Sequence, residues 1–307
     1  MTITVQETLR GAFYAPFYVA LTRGGYVQEG VDVRFRSAAA PGRAALDVME
    51  GATDVSWGGP MRVAHAYQTV PGCDLVSFAE VVGRDPFLLI GREPRPRFAF
   101  SDLLALRLGS VSEVPTPWLC LQEDLRRAGI DPAEVARVTD RSMAENAEAL
   151  RRGELDVVQV FEPFASMLLA DGTGHVWYAA AHRGLTSYTT FYTRRSLLQA
   201  RRAELQRMVR AIHRALKWVS EVDGPAIAAA VAEFFPDVPA QILAASYTRY
   251  KALGIWNRDP RMVREGYDRL MAGLVSGGFV SPGTPFEVAV DNSLADASVA
   301  ANPRALP

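Results

Sequence analysis

Apolar and polar positions alternate through "TITVQETL", residues 2–9, the period of a half-buried strand. The next stretch, "GAFYAPFYVALTRGGYVQEGVDVRF" over residues 11–35, is apolar and aromatic at its start, broken by Pro16, and ends in a glycine and a second alternating run. Proline is tolerated in the first helical turn, so the pattern predicts a loop, a helix from about Pro16 and a return strand. The same pattern recurs about one hundred residues later. "WLCLQEDLRRAGIDPAEVARV", residues 118–138, matches "FYVALTRGGYVQEGVDVRF", residues 17–35, as a helix, a glycine and a strand. "ALRRGELDVVQVFEP", residues 149–163, matches "ALDVMEGATDVSWGGP", residues 45–60: a helix, a glycine, then Asp-Val opening an apolar strand, then a loop with proline. In this register Asp54 aligns with Asp156 and Gly30 with Gly129.

Two βαβαβ units follow from this repeat, each a small, mostly parallel sheet with flanking helices. The predicted fold class is α/β and two-lobed. Lobe 1 is expected from residues 1–90 plus 190–250, lobe 2 from the inserted residues 95–185, and connections cross near 84–98 and 184–190. Beyond them the period becomes helical. "RAELQRMVRAIHRALKWVSEV", residues 202–222, sets Leu205, Val209, Ile212, Leu216 and Val219 on one face. Further helices are predicted from Pro225, from Pro239 and over "PRMVREGYDRLMAGLVSGG", so that residues 251–307 form a helical tail packed on lobe 1. The last residues, "ASVAANPRALP", are expected to fray.

Composition narrows the function classes. At 307 residues, with 49% hydrophobic and 22% charged, the chain can build two domain-sized cores. A net charge of −1 supplies no field for nucleic acid or an anionic membrane. The apolar run around Pro16 is bracketed by Arg10 and Arg23, too short to span a bilayer, and residues 1–9 lack the basic start of a secretion signal. No direct membrane insertion is expected. Cys73 and Cys120 form no CxxC, and the four histidines have no metal-ligand spacing, so neither a metal nor a cofactor is expected.

In parallel α/β sheets, ligands bind beyond the carboxyl ends of the strands. The loops there carry Phe13, Tyr14 and Ala15; Trp57, Gly58 and Gly59; Thr116 and Trp118; and Phe161 and Glu162. Each aromatic alone is better explained by core packing, but their coincidence at all four loops shifts that balance towards a cleft for an organic ligand. Thr116 before Pro117 reads equally as an ordinary helix cap or as a dock for an anionic or carbonyl group. Glu80, Glu113 and Glu162 could accept hydrogen bonds from an amine or ring N–H, and Tyr188 completes the candidate set. Templates for nucleotide binding, zinc hydrolysis and serine hydrolysis are missing. The stripe of Arg207, Arg210 and Arg214 reads as a solvated face, with partner docking as its alternative.

"APFYVALTRGGYVQEGVDVRF", "GATDVSWGGPMRV", "YTTFYTRRSLLQARRAELQRMVRAI" and "GLVSGGFVSPGTPFEVAVDNS", in this order, resemble the substrate-binding proteins of nitrate/sulfonate/taurine-type ABC transporters and their pyrimidine-precursor-binding relatives. The resemblance implies a periplasmic-binding-protein fold of type II, a small-molecule ligand between the lobes, and an ABC permease and ATPase as partners, with the protein itself a monomer. One branch resembling this chain, the fungal thiamin pyrimidine synthase, holds pyridoxal phosphate on a lysine where this sequence has Gly58, with Arg62 in place of a donor histidine and "SYTTFYT" in place of a cysteine-rich motif. The expected function is therefore capture of a small aromatic or heterocyclic solute for an importer. The alternatives are an enzyme on the same fold acting on a thiamin-pyrimidine or aromatic carboxylate, or a cytoplasmic ligand sensor. A periplasmic location is expected if a signal peptide preceded this sequence, a cytoplasmic one if it did not.

Overall fold

The computed structural model describes residues 2–307. Ten strands form two five-stranded sheets. They are β1 (Ile3–Glu7), β2 (Val33–Ser37), β3 (Val55–Gly58), β4 (Leu75–Val82), β5 (Leu88–Gly91), β6 (Leu108–Gly109), β7 (Arg137–Val138), β8 (Val157–Val160), β9 (His175–Ala179) and β10 (Thr189–Arg194). The first sheet runs β2-β1-β3-β10-β4 and the second β7-β6-β8-β5-β9.

The two orders are the same order. In each sheet the first three strands are parallel, and the fourth is antiparallel to both its neighbours. That fourth strand enters from the other lobe: β10 returns to the first sheet after the second is complete, and β5 opens the second after the first. Leu88–Gly91 therefore belongs to the second sheet, slightly earlier in the chain than the predicted change of lobe. The crossing segments, residues 83–87 and 184–188, are tied together by Thr186 N–H on the Gly83 carbonyl at 2.8 Å and Tyr188 N–H on the Val82 carbonyl at 2.9 Å.

The Arg202–Glu221 helix buries Leu205, Val209, Ile212, Leu216 and Val219, as its spacing predicts, and packs on the Ala15–Thr22 helix. Arg210 and Arg214 do not form a free basic stripe: both pair with Glu29, at 3.2 and 2.9 Å. The tail differs from expectation in two ways. It is not confined to lobe 1, because the Arg264–Ser276 helix lies against Thr116–Arg127 in the second lobe, as the Ala240–Leu253 helix before it lies against Phe164–Ala170. Its end is also packed: Leu306 is 3% exposed, and its N–H donates to the Arg214 carbonyl at 3.3 Å. An apolar side chain near a terminus docks whenever a core face is within reach. Among the described residues no helix is long and apolar enough to cross a membrane.

Candidate functional site

The two sheets present their carboxyl ends to each other, and the loops there enclose a cavity of ≈ 30 Å³. Thr8, Phe13 and Tyr14 come from the end of β1 and the 3-10 turn after it; Gly59, Met61 and Arg62 follow β3. The second lobe supplies Val114, Thr116 and Phe161, and the crossings supply Phe87 and Tyr188. The lobes meet edge to face, Phe13 against Phe161 at 5.2 Å and Phe87 against Phe161 at 5.3 Å. Of the residues expected from sequence, Phe13, Tyr14, Gly59, Thr116, Phe161 and Tyr188 line this space.

The others lie elsewhere, each for a visible reason. Trp57 is fully buried inside the first lobe, with Phe17 stacked at 4.6 Å and Phe35 stacked at 5.2 Å. Gly58 sits behind the cavity, where a Cβ would come within 2.6 Å of the Thr8 methyl, so glycine is what lets β3 approach the loop after β1. Ala15 is buried in the first turn of its helix. Trp118 points away from the cleft, with the Arg137 guanidinium 4.1 Å over its ring. The Glu113 carboxylate accepts from Met143 N–H at 2.8 Å, capping the Met143–Arg151 helix.

Glu162 is fully buried and engaged. Its carboxylate pairs with Arg249 at 2.6 Å and accepts from Ser166 N–H at 2.8 Å and from the Ser246 hydroxyl at 3.2 Å. It fastens the C-terminal helices to the second lobe. Glu80 lies behind the crossings, accepting from the Asn257 amide at 2.7 Å, and burial pushes its acid up to about 7. Neither lysine is near the cleft: Lys217 donates to the Asn302 side chain at 2.6 Å, and Lys251 to the Val219 carbonyl at 2.6 Å.

Two polar groups of the cavity have no partner. The Tyr188 hydroxyl is buried without a hydrogen bond, and so is the Nε of Arg62. No carboxylate among the described residues forms an ion pair with Arg62. The Tyr14 hydroxyl is satisfied by Thr8 Oγ1 at 3.1 Å; burial raises its phenol, while that hydroxyl and the charge of Arg62 pull the other way. Sequence reading placed Arg62 only as a substitution for another residue. The signal available was position: it stands four residues past the end of β3, where a helical side chain faces back over the strand ends.

Comparison with known proteins places this geometry. Residues 99–235 match the NMT1-like family. The putative binding protein YtlA of Bacillus subtilis (strain 168) is 24% identical over 296 residues, covering 96% of this chain and 89% of its own. Among solved structures, the ligand-binding component of an ABC-type import system from Staphylococcus aureus superposes with a TM-score of 0.75 at 15% identity, covering 97% of this chain and 99% of the other. The desulfurization enzyme DSZB shares the fold at a TM-score of 0.68 and 14% identity, covering 98% and 99%. The chain has the periplasmic-binding-protein fold.

Proposed function

We infer that the protein is the solute-binding component of an ABC importer, closing its two lobes over a small organic ligand and delivering it to a permease and ATPase. The observation that carries this reading is the cavity itself, built from both lobes and both crossings, with the unpartnered Nε of Arg62 and the unpartnered phenol of Tyr188 among otherwise mostly apolar lining residues. Buried polar groups left unpaired by the protein cost free energy that a ligand recovers. YtlA, named a putative binding protein, supports it by sequence, and the Staphylococcus aureus importer component supports it by fold.

Capture without turnover is part of the proposal. The residues lining the cavity include no cysteine, histidine, lysine or carboxylate, and its hydroxyls, those of Thr8, Thr116, Tyr14 and Tyr188, have no such group among the lining residues to activate them. Action outside the cytoplasm, beside the permease, belongs to the same reading. Native mass spectrometry of gently purified protein tests it: a single small-molecule adduct, released intact on denaturation, is the expected result. An adduct released in chemically altered form, or catalytic consumption of the released compound on re-addition, overturns it in favour of an enzyme.

A further inference from the structure

The Arg264–Ser276 helix starts at the second crossing and bridges the two lobes. Ser187 N–H donates to the Gly266 carbonyl at 3.0 Å, and a Cβ on Gly266 would come within 3.1 Å of the Ser187 hydroxyl. From there the two faces of the helix part. Tyr267 enters a core of the first lobe with Val63, Leu75 and Tyr192, and its hydroxyl donates to the Thr284 carbonyl at 2.8 Å. Just past the helix, Gln68 of the Met61–Thr69 helix holds Ser281 on both sides: its amide donates to the Ser281 carbonyl at 2.6 Å, and its carbonyl accepts from Ser281 N–H at 2.7 Å. The segment is thus fastened to the first lobe by buried apolar packing and by directed hydrogen bonds.

The face turned to the second lobe is of another kind. Leu270 and Leu274 close a small separate core with Leu119 and Cys120 of the Thr116–Arg127 helix. A Cβ on Gly273 would lie 3.3 Å from the Leu119 carbonyl oxygen and 3.5 Å from Cys120 Cα, and one on Gly277 would lie 2.3 Å from a Leu119 methyl. Missing side chains let the two elements come this close. Among the described residues no ion pair joins the two helices, and the Arg126 guanidinium donates to the Ser276 hydroxyl, at 3.3 Å, on the exposed rim.

We propose that the Arg264–Ser276 helix is a strap fixed to the first lobe, that the Thr116–Arg127 helix leaves its glycine face when the lobes part, and that this contact sets how far the empty protein stays closed. The inference rests on the solute-binding reading above, which gives closure its purpose. Sliding between packed helices is a common form of domain closure. An apolar contact breaks without stranding a buried polar group, whereas parting on the other side would strip Tyr267 and Gln68 of their partners. Gly273, Leu270, Leu274 and Cys120 do not line the cavity, so they act on capture only through the population of the closed form.

Cys120 reports the opening. It is 2% exposed beneath the strap, and burial pushes its thiol up to about 12, so it reacts only when uncovered. The test uses the full chain with Cys73→Ser, which leaves Cys120 as its one thiol, and follows alkylation by iodoacetamide. Alkylation should depend little on urea below the unfolding transition, because parting one interface exposes little surface. Gly273→Leu, a better helix former that overfills the contact, should speed it about tenfold or more. Unfolding, dialysing and refolding the protein to remove a retained solute should speed it about tenfold or more as well. A urea dependence as steep as that of global unfolding overturns the inference, and so does a parental rate in Gly273→Leu. A solute seen in native mass spectra whose removal leaves the rate unchanged also overturns it, while solute capture stands. A protein that retains no solute, yet shows a shallow urea dependence and faster alkylation in Gly273→Leu, supports the strap and counts against the solute reading alone.

Discussion

Single side chains in this protein have roles that their loop positions disguise. Trp57, predicted to line the ligand cleft, is instead fully buried and stacked on Phe17 and Phe35. Trp57→Ala should therefore cost about 3–5 kcal/mol of stability in urea unfolding, the range for a large aromatic removed from a core. A loss below about 0.5 kcal/mol, typical of an exposed loop residue, would return it to the cleft. Glu80 makes a prediction about pH. Its acid titrates near its ordinary value of 4.5 in the unfolded chain and at about 7 in the folded one. Between those values the folded state holds a proton that the unfolded state has released, so stability falls as pH rises through this window and levels off above it. Glu80→Gln should flatten the fall in melting temperature between about pH 5 and pH 8. A variant with the same slope as the parent would show that Glu80 is ionised throughout the window.

Between elements, the repeat acts through the same hydrogen bonds in both lobes. Asp54 opens β3 and accepts from Thr4 N–H in β1 at 2.8 Å; Asp156 precedes β8 and accepts from Arg107 N–H, just before β6, at 2.8 Å. Each carboxylate thus ties the start of one strand to its parallel neighbour. The glycines of the repeat are also structural equivalents. Gly30 and Gly129 have φ of +69° and +78°, and each follows a helix whose last carbonyls are capped by the same turn. Asp54→Ala and Asp156→Ala should each destabilise by about 1.5–3 kcal/mol, as expected for losing hydrogen bonds that involve a charged group. The pair should be additive, because the two sites lie in different sheets. A double-mutant cycle with a coupling above about 0.5 kcal/mol would refute that independence.

For the whole molecule the decisive region is the pair of crossings. Arg183, at the second crossing, is 6% exposed in its side chain and pairs with Asp85 of the first crossing at 2.8 Å and with Asp124 of the second lobe at 2.6 Å. Burial lowers its guanidinium, but Asp85 and Asp124 outweigh that effect and the pKa is raised. The Arg183 carbonyl also accepts from Arg269 of the C-terminal segment at 2.7 Å. Arg183→Ala leaves two buried carboxylates facing each other and should cost about 3–5 kcal/mol. Arg152→Ala, removing an exposed pair with Glu154, should change stability by less than about 1 kcal/mol. Comparable losses in urea unfolding for the two variants would mean that the crossings carry no special share of stability.

Local pattern by itself determined the elements and their duplication. Alternation and helical periodicity depend on which faces must be buried, and burial is decided within a dozen residues, so β1, the Arg202–Glu221 helix and the Asp54/Asp156 correspondence were readable from the chain. The loops of the cleft were readable for the same reason, since strand ends point there in any parallel sheet. Tertiary structure alone decided which loop side chains face the cleft. Trp57 turned into the core because Phe17 and Phe35 offered it two faces, Glu162 turned away because Arg249 arrived from 87 residues further along the chain, and Arg62 stayed without a carboxylate because none of the neighbouring elements brought one. Partners from distant segments satisfy or fail to satisfy a polar group, and that choice has no signature in the residues beside it.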